Sequence, residues 1–156
     1  MRPLTFFFKD TALAAATGLL FTVLFACTNF SADQEIHEHG ILPPCPSRPN
    51  CVSSRAKKAS QRVDPILFPG DSASAWSRLR KVVAAMRGAR ITEEKAGYLH
   101  AEFRSALFGF VDDVVFRMDE AFGRIDVRSA SRKGYYDFGV NRRRVEEIRE
   151  RFAREP

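Results

Sequence analysis

YLHAEFRSALFGFVDDVVFRMDEAFGRIDVR, residues 98–128, decides the fold, because its apolar residues recur every second position. Leu99, Ala101 and Phe103 share one side and His100, Glu102 and Arg104 the other; Val114, Phe116 and Met118 oppose Val115 and Arg117; Ile125 and Val127 oppose Arg124, Asp126 and Arg128. A period of two is that of a pleated strand with one oily and one charged face. With Ala96-Gly97 and Phe122-Gly123 as breaks, the alternation predicts four antiparallel strands, at about 89–95, 98–105, 111–118 and 124–129.

A sheet with one oily face needs helices on that face. Upstream, Trp76, Leu79, Val83 and Met86 fall at spacings of three and four, behind N-cap candidates Asp71 and Ser72, with Gly88 in the place of a C′ glycine. Downstream, a second helix is expected from about Phe138 to Ala153 with Asp137 as N-cap. The expected fold class is therefore α+β: a four-stranded antiparallel sheet with two helices packed on one face. It forms a single domain over residues 45–154, as a chain of 156 residues allows.

The formal charge of +6 suits an anionic partner of some kind. No nucleic-acid-binding motif is present, so nucleic acid is not expected. The N-terminus narrows the address. Arg2 and Lys9 precede an uncharged apolar run, Thr11 to Ala26, that is shorter than the ~20 residues of a spanning helix and resembles an export signal. Leu24-Phe25-Ala26-Cys27 resembles a bacterial lipobox, although Phe25 is large for that pattern. Residues 1–26 are thus a signal peptide or membrane anchor. Lipid attachment at Cys27, an uncleaved anchor, and cleavage without lipid all place the remainder in the bacterial cell envelope, facing the periplasm or exterior.

Residues 27–44 are polar and irregular and read as a flexible tether. His37 and His39 in it lack a third fixed ligand, so no metal is expected there. Cys45-Pro-Ser-Arg-Pro-Asn-Cys51 comes next, with Pro46 and Pro49 bending the chain between the thiols. With Cys27 set aside, an even pair in an oxidising compartment favours a disulfide. Zinc would be half coordinated by this pair, and the spacing is not that of a redox Cys-x-x-Cys.

The last helix carries the oddest pattern. Its inward stripe, Phe138, Asn141, Val145, Ile148 and Phe152, puts an amide where a core residue belongs. Arg142, Arg143 and Arg144 then crowd the first turns, where the helix dipole disfavours cations, so negative countercharge is required. Asp112, on the oily side of the third strand, with Asp113 and Asp137 at element ends, could supply it internally. Alternatively, Arg104, Arg128, Ser131, Arg132 and Tyr135 with Asn141 and Arg142 could hold a carboxylate or phosphate through forked hydrogen bonds.

Leu107-Phe-Gly-Phe110 is too apolar for an ordinary connector; it either packs under a helix or touches a membrane or partner. His100 sits on the charged face with no serine or cysteine nucleophile placed beside it by motif. No phosphate-cradling glycine loop, metal triad or dinucleotide fingerprint exists, so no cofactor is expected.

CPSRPNCVSS at 45–54, YLHAEFRSALFGFVDDVVF at 98–116 and VRSASRKGYYDFGVNRRRVEEIR at 127–149 resemble the domain-of-unknown-function 1499 family, over about residues 45–154. Tyr136 stands where that family commonly has a small residue. The resemblance implies an exported or membrane-associated protein, of bacteria or the chloroplast lumen, without an established activity. Its signature residues fall on the polar cluster reached above. The expectation is a non-catalytic envelope binding or scaffolding module, centred on Arg104, Asp112, Asp113, Arg128, Arg132, Asp137, Asn141 and Arg142. Its partners would be the membrane, through the N-terminal anchor, and a small anionic ligand or an envelope protein. The alternatives are a small hydrolase or transferase using Asp112 or Asp113 as base, and a membrane-surface protein in which Leu107, Phe108 and Phe110 project beside basic residues.

Overall fold

The computed structural model describes residues 42–155; the segment 1–26 read as a signal or anchor, Cys27, His37 and His39 lie outside the described residues. The four alternating segments form β3 (Ala89–Lys95), β4 (Tyr98–Arg104), β5 (Val111–Asp119) and β6 (Arg124–Ser131), each antiparallel to the next. Two short strands, β1 (Cys51–Ser53) and β2 (Ile66–Leu67), both pair with β6, so the sheet has six strands and not four. Segments of three and two residues are too short to display alternation. What makes them strands is the open edge of β6, which supplies their hydrogen bonds.

Helix α1 (Ser72–Ala84) and helix α2 (Val140–Arg154) supply the cover for the oily side. Leu79 and Val83 of α1 and Val145, Ile148 and Phe152 of α2 join one core with Leu99, Phe103, Val114, Phe116, Ile125 and Val127 of the strands. Truncating one such buried Leu or Ile costs about 2–5 kcal/mol, whereas an exposed ion pair contributes about 0–1 kcal/mol. Packing, not surface charge, holds the helices to the sheet.

The caps differ in detail from the expectation. Asp71 does cap α1, its carboxylate accepting from the Ser74 N–H at 2.7 Å, and that bond lowers its pKa. Gly88, however, is not a C′ residue, because the helix ends at Ala84. It has φ +77, and a Cβ there would lie 2.5 Å from the Arg104 carbonyl oxygen. Its carbonyl accepts from the Arg104 N–H at 2.9 Å, so only glycine lets this turn lie against β4.

The opposite sheet face carries the charged residues and, among the described residues, no helix covers it. Leu42 covers part of it, packing with Tyr98 and Val115 in a small second cluster. Arg117 lies over the Tyr98 ring at 4.6 Å, and burial pushes the Tyr98 phenol up to about 12. No helix among the described residues is long and apolar enough to cross a membrane.

Cys45 and Cys51 form a disulfide with Cα atoms 5.6 Å apart. The loop that it closes is held by Gln61, whose Nε2 donates to the carbonyls of Pro46 at 2.7 Å and Arg48 at 3.0 Å. Closing so small a loop removes unfolded-state entropy worth about 2 kcal/mol. Reduction is therefore expected to lower the unfolding free energy by about that amount, seen as an earlier urea midpoint. A midpoint unmoved by reduction would show that the bond carries no stability.

Candidate functional site

The chain enters α2 through two residues with left-handed backbone, Phe138 (φ 54) and Gly139 (φ 74). This turn starts the helix at Val140 and throws Phe138 outward, 78% exposed, instead of onto the expected inward stripe. Asp137 is not the N-cap by position, yet it does the capping. Its Oδ1 accepts from the Gly139 N–H at 2.9 Å, and its Oδ2 from the Asn141 N–H at 3.0 Å and from Asn141 Nδ2 at 2.8 Å. Burial raises its pKa, but these hydrogen bonds outweigh it and hold the carboxyl below its ordinary value.

Asn141 is fully buried and fully used. Its Oδ1 accepts from Ser129 Oγ at 2.6 Å and from Arg144 Nη1 at 2.8 Å. Its Nδ2 donates also to the Asn50 carbonyl at 3.1 Å and Ser131 Oγ at 3.0 Å. Arg144 completes the knot: Nη2 donates to Asp112 Oδ2 at 2.6 Å, Nη1 to Ser129 Oγ at 3.1 Å, and the guanidinium lies 4.8 Å over the Phe103 ring. The Arg144 and Asp112 side chains are 10% and 11% exposed. Desolvating such a pair costs several kcal/mol per ion, and the hydrogen bonds from Arg144 to Asn141 and Ser129 offset part of that cost. The knot fastens the bases of two loops, 105–110 before Asp112 and 132–139 before α2.

A second charged cluster lies on the open sheet face. His100 Nε2 is 2.7 Å from Asp113 Oδ1, and Arg132 grips Asp113 through Nε at 2.8 Å and Nη2 at 2.7 Å. Arg132 Nη2 also donates to Glu102 at 2.6 Å, and Arg90 Nη2 to the other Glu102 oxygen at 2.8 Å. Burial pushes Asp113 up, yet the hydrogen bonds from His100 and Arg132 win and hold it well below the usual carboxylate range. Bonds from Arg90 and Arg132 lower Glu102, and Asp113 and Glu102 together raise Arg132. His100 Nδ1 lies 3.1 Å from Thr92 Oγ1.

Beyond the knot, a cleft of about 670 Å³ opens between the end of α1 and the start of α2. Arg87, Arg104, Arg143 and Arg144 line it, with Asp112 and Glu147. Both acids are already engaged, Asp112 by Arg144 and Glu147 by Arg151 at 2.7 Å. Among the described residues Arg104 donates to the Gly109 carbonyl at 3.3 Å and Arg143 to the Phe138 carbonyl at 2.9 Å. Among the described residues neither these two nor Arg87 has a carboxylate within ion-pair distance. A second hollow of about 300 Å³ shares Ser105, Asp112 and Val140 with this cleft and is ringed by Phe108, Phe110, Tyr136 and Phe138. The ring centroids of Phe108 and Phe110 are 5.7 Å apart, those of Tyr136 and Phe138 5.1 Å.

The eight residues expected to form one centre are divided by the pleat of the sheet. Asp112, Asp137 and Asn141 meet in the inner knot, while Asp113 and Arg132 meet on the opposite face, because adjacent strand residues point to opposite sides. Arg128 is on that outer face too, opposite Val115 and Ser53. Arg104 stands at the lip of the cleft. Arg142 turns away from all of these, Nη1 donating to the Arg62 carbonyl at 2.8 Å and Nη2 to that of Ser60 at 3.0 Å. Ser129, Asn50 and Arg87 escaped the sequence reading. Ser129 had a signal, a hydroxyl in line with the inward Ile125 and Val127; Asn50 and Arg87 had none.

The family model described as "Protein of unknown function (DUF1499)" matches residues 41–152, and the chain belongs to that family. No curated protein and no solved structure matches it.

Two outcomes follow from the clusters. Arg144→Met leaves Asp112 buried without its cation and is expected to cost about 3–5 kcal/mol in urea unfolding; a loss below about 1 kcal/mol would mean that the knot holds nothing. Asp113 and Asp137 both have depressed folded-state pKa values, so the stability they confer is complete above the unfolded carboxylate value, ~3.9, and disappears as pH falls through the folded values. Unfolding free energy should thus decline increasingly below about pH 5, with a shallower decline in Asp113→Asn. An unchanged acid limb in that variant would contradict the assignment.

Proposed function

We propose that this family member is a non-catalytic binding module of the bacterial cell envelope, held at a membrane by residues 1–26 or by lipid on Cys27. Its ligand group is a phosphate or carboxylate, taken in the cleft between Arg87, Arg104 and Arg143. One observation carries the reading: Arg87, Arg104 and Arg143 line one cleft in which the acids, among the described residues, are already paired with other arginines. Like charges gathered in a concave site with low-dielectric walls raise the local potential and favour an anion. Guanidinium forks match carboxylate and phosphate oxygens two at a time. The cleft volume falls in the ~300–1,000 Å³ range of small-molecule sites.

The division of labour supports a binding role over chemistry. A general base works best with a pKa near the operating pH, whereas Asp113 is displaced away from it by Arg132 and His100. Asp112 has its Oδ2 committed to Arg144. The inner knot is the structural centre, and the cleft beside it is the anion site.

Inorganic phosphate is the simplest probe. Titration of the full chain should shift the Nε–Hε resonances of Arg87, Arg104 and Arg143 in a 1H–15N spectrum. The shifts should weaken with added chloride and be lost in the double variant Arg104→Gln, Arg143→Gln, but persist in Arg90→Gln. Shifts absent from the wild type, or surviving in the double variant, would refute the anion site.

A further inference from the structure

We infer that the anion is a lipid headgroup: the tip formed by residues 105–110 and 134–140 docks on an anionic bilayer surface, with its rings among the headgroups and the arginine cleft over a phosphate. The inference rests on the anion-binding reading above and deepens it by naming the source of the phosphate.

The rings are the first reason. Leu107 is 82% exposed and Phe108 71%, with Phe110, Tyr135, Tyr136 and Phe138 also exposed at the same end. Contiguous apolar exposure of this kind marks a contact surface. A small soluble anion would use the arginines and leave the outward rings without a role. In a membrane interface, aromatic side chains settle at headgroup level and basic ones pair with anionic lipid. Both requirements meet here, since the ringed hollow and the arginine cleft share a wall at Ser105, Asp112 and Val140.

Phe138 adds an independent reason. A bulky side chain with positive φ is strained, and this one contributes nothing to the core. The turn itself serves the Asp137 cap of α2, but glycine would make the same turn, so folding does not account for a large ring held outward on it, 78% exposed. Contact with an apolar phase does.

Charge and reach choose the occupant. Two copies joined tip to tip would set Arg87, Arg104 and Arg143 against the same three residues, a repulsive arrangement. An anionic bilayer is complementary to them. The described chain begins at Leu42 on the open sheet face, and residues 27–41 can span at most roughly 50 Å at ~3.3–3.6 Å per residue. A tip within that distance of an anchored N-terminus can reach the same membrane.

The test reads amide hydrogen exchange in the full chain reconstituted in nanodiscs, either of pure phosphatidylcholine or with one third phosphatidylglycerol. Exchange over 105–110 and 134–140 is expected to slow about tenfold or more in the anionic discs. Serine at both Phe108 and Phe110 (Phe108→Ser, Phe110→Ser) should abolish the slowing. Phe138→Gly, which relieves the backbone strain, should weaken it without lowering the melting temperature. Each arginine removed by Arg104→Gln or Arg143→Gln should reduce surface affinity about fivefold.

Tip exchange equal in both discs, while inorganic phosphate still shifts the three arginine resonances, would overturn the lipid inference and leave the anion site standing. No response to either phosphate or phosphatidylglycerol would overturn both. Slowing that requires two chains per disc, whatever the lipid, would assign the tip to self-association and overturn the lipid inference.

Discussion

Arg144 lies on the Phe103 ring with its guanidinium divided among Asp112, Asn141 and Ser129, and the rest of the molecule is arranged around that constraint. A cation and a carboxylate nearly out of water cannot be left half paired, because each missing partner costs the full desolvation of the group. The carboxylate comes from the first inward position of β5, the hydroxyl from β6 and the amide from the first turn of α2. Three successive elements, β5, β6 and α2, are thereby fixed at one point. The Asp137 cap and the Asn50 carbonyl extend the same network to the turn before α2 and to the loop that the disulfide closes.

Much of this architecture was readable in the sequence. The four long strands and both helices follow from period-two and helical spacing, and Asn141 betrayed itself as an amide on an apolar stripe. Both short strands were hidden, since β1 and β2 owe their form to the edge of β6 and not to any pattern of their own. The error at the end of α2 has a definite cause. Asp137 looks like an N-cap, but Phe138 and Gly139 turn left-handed first, so the helix starts later and Phe138 leaves the core.

The site was legible in composition and not in geometry. Of the three arginines expected to need countercharge only Arg144 meets an acid, Asp112, while Arg142 and Arg143 bond backbone carbonyls, because sequence proximity does not reveal which face a side chain takes. Asp112 and Asp113 are neighbours that serve opposite sides of the sheet. Arg142, Arg143 and Arg144 are consecutive, yet one holds a loop through backbone carbonyls, one faces the open cleft and one is buried. Arg87 joins Arg104 and Arg143 only because α1 stops short and Gly88 brings its turn against β4. The proposed surface is therefore a product of packing: a buried, hydrogen-bonded polar interior fastens the bases of the charged and aromatic loops.

The hold of that interior can be observed at one pair of protons. The Asn141 Nδ2 hydrogens give their own signals in a 1H–15N spectrum, and their exchange with deuterated solvent reports how often the knot opens. Exchange as slow as that of the slowest core amides is expected, so that the knot opens only with global unfolding. Exchange at the rate of a solvent-exposed asparagine would contradict a closed interior around Arg144, and with it the structural basis proposed for the whole surface.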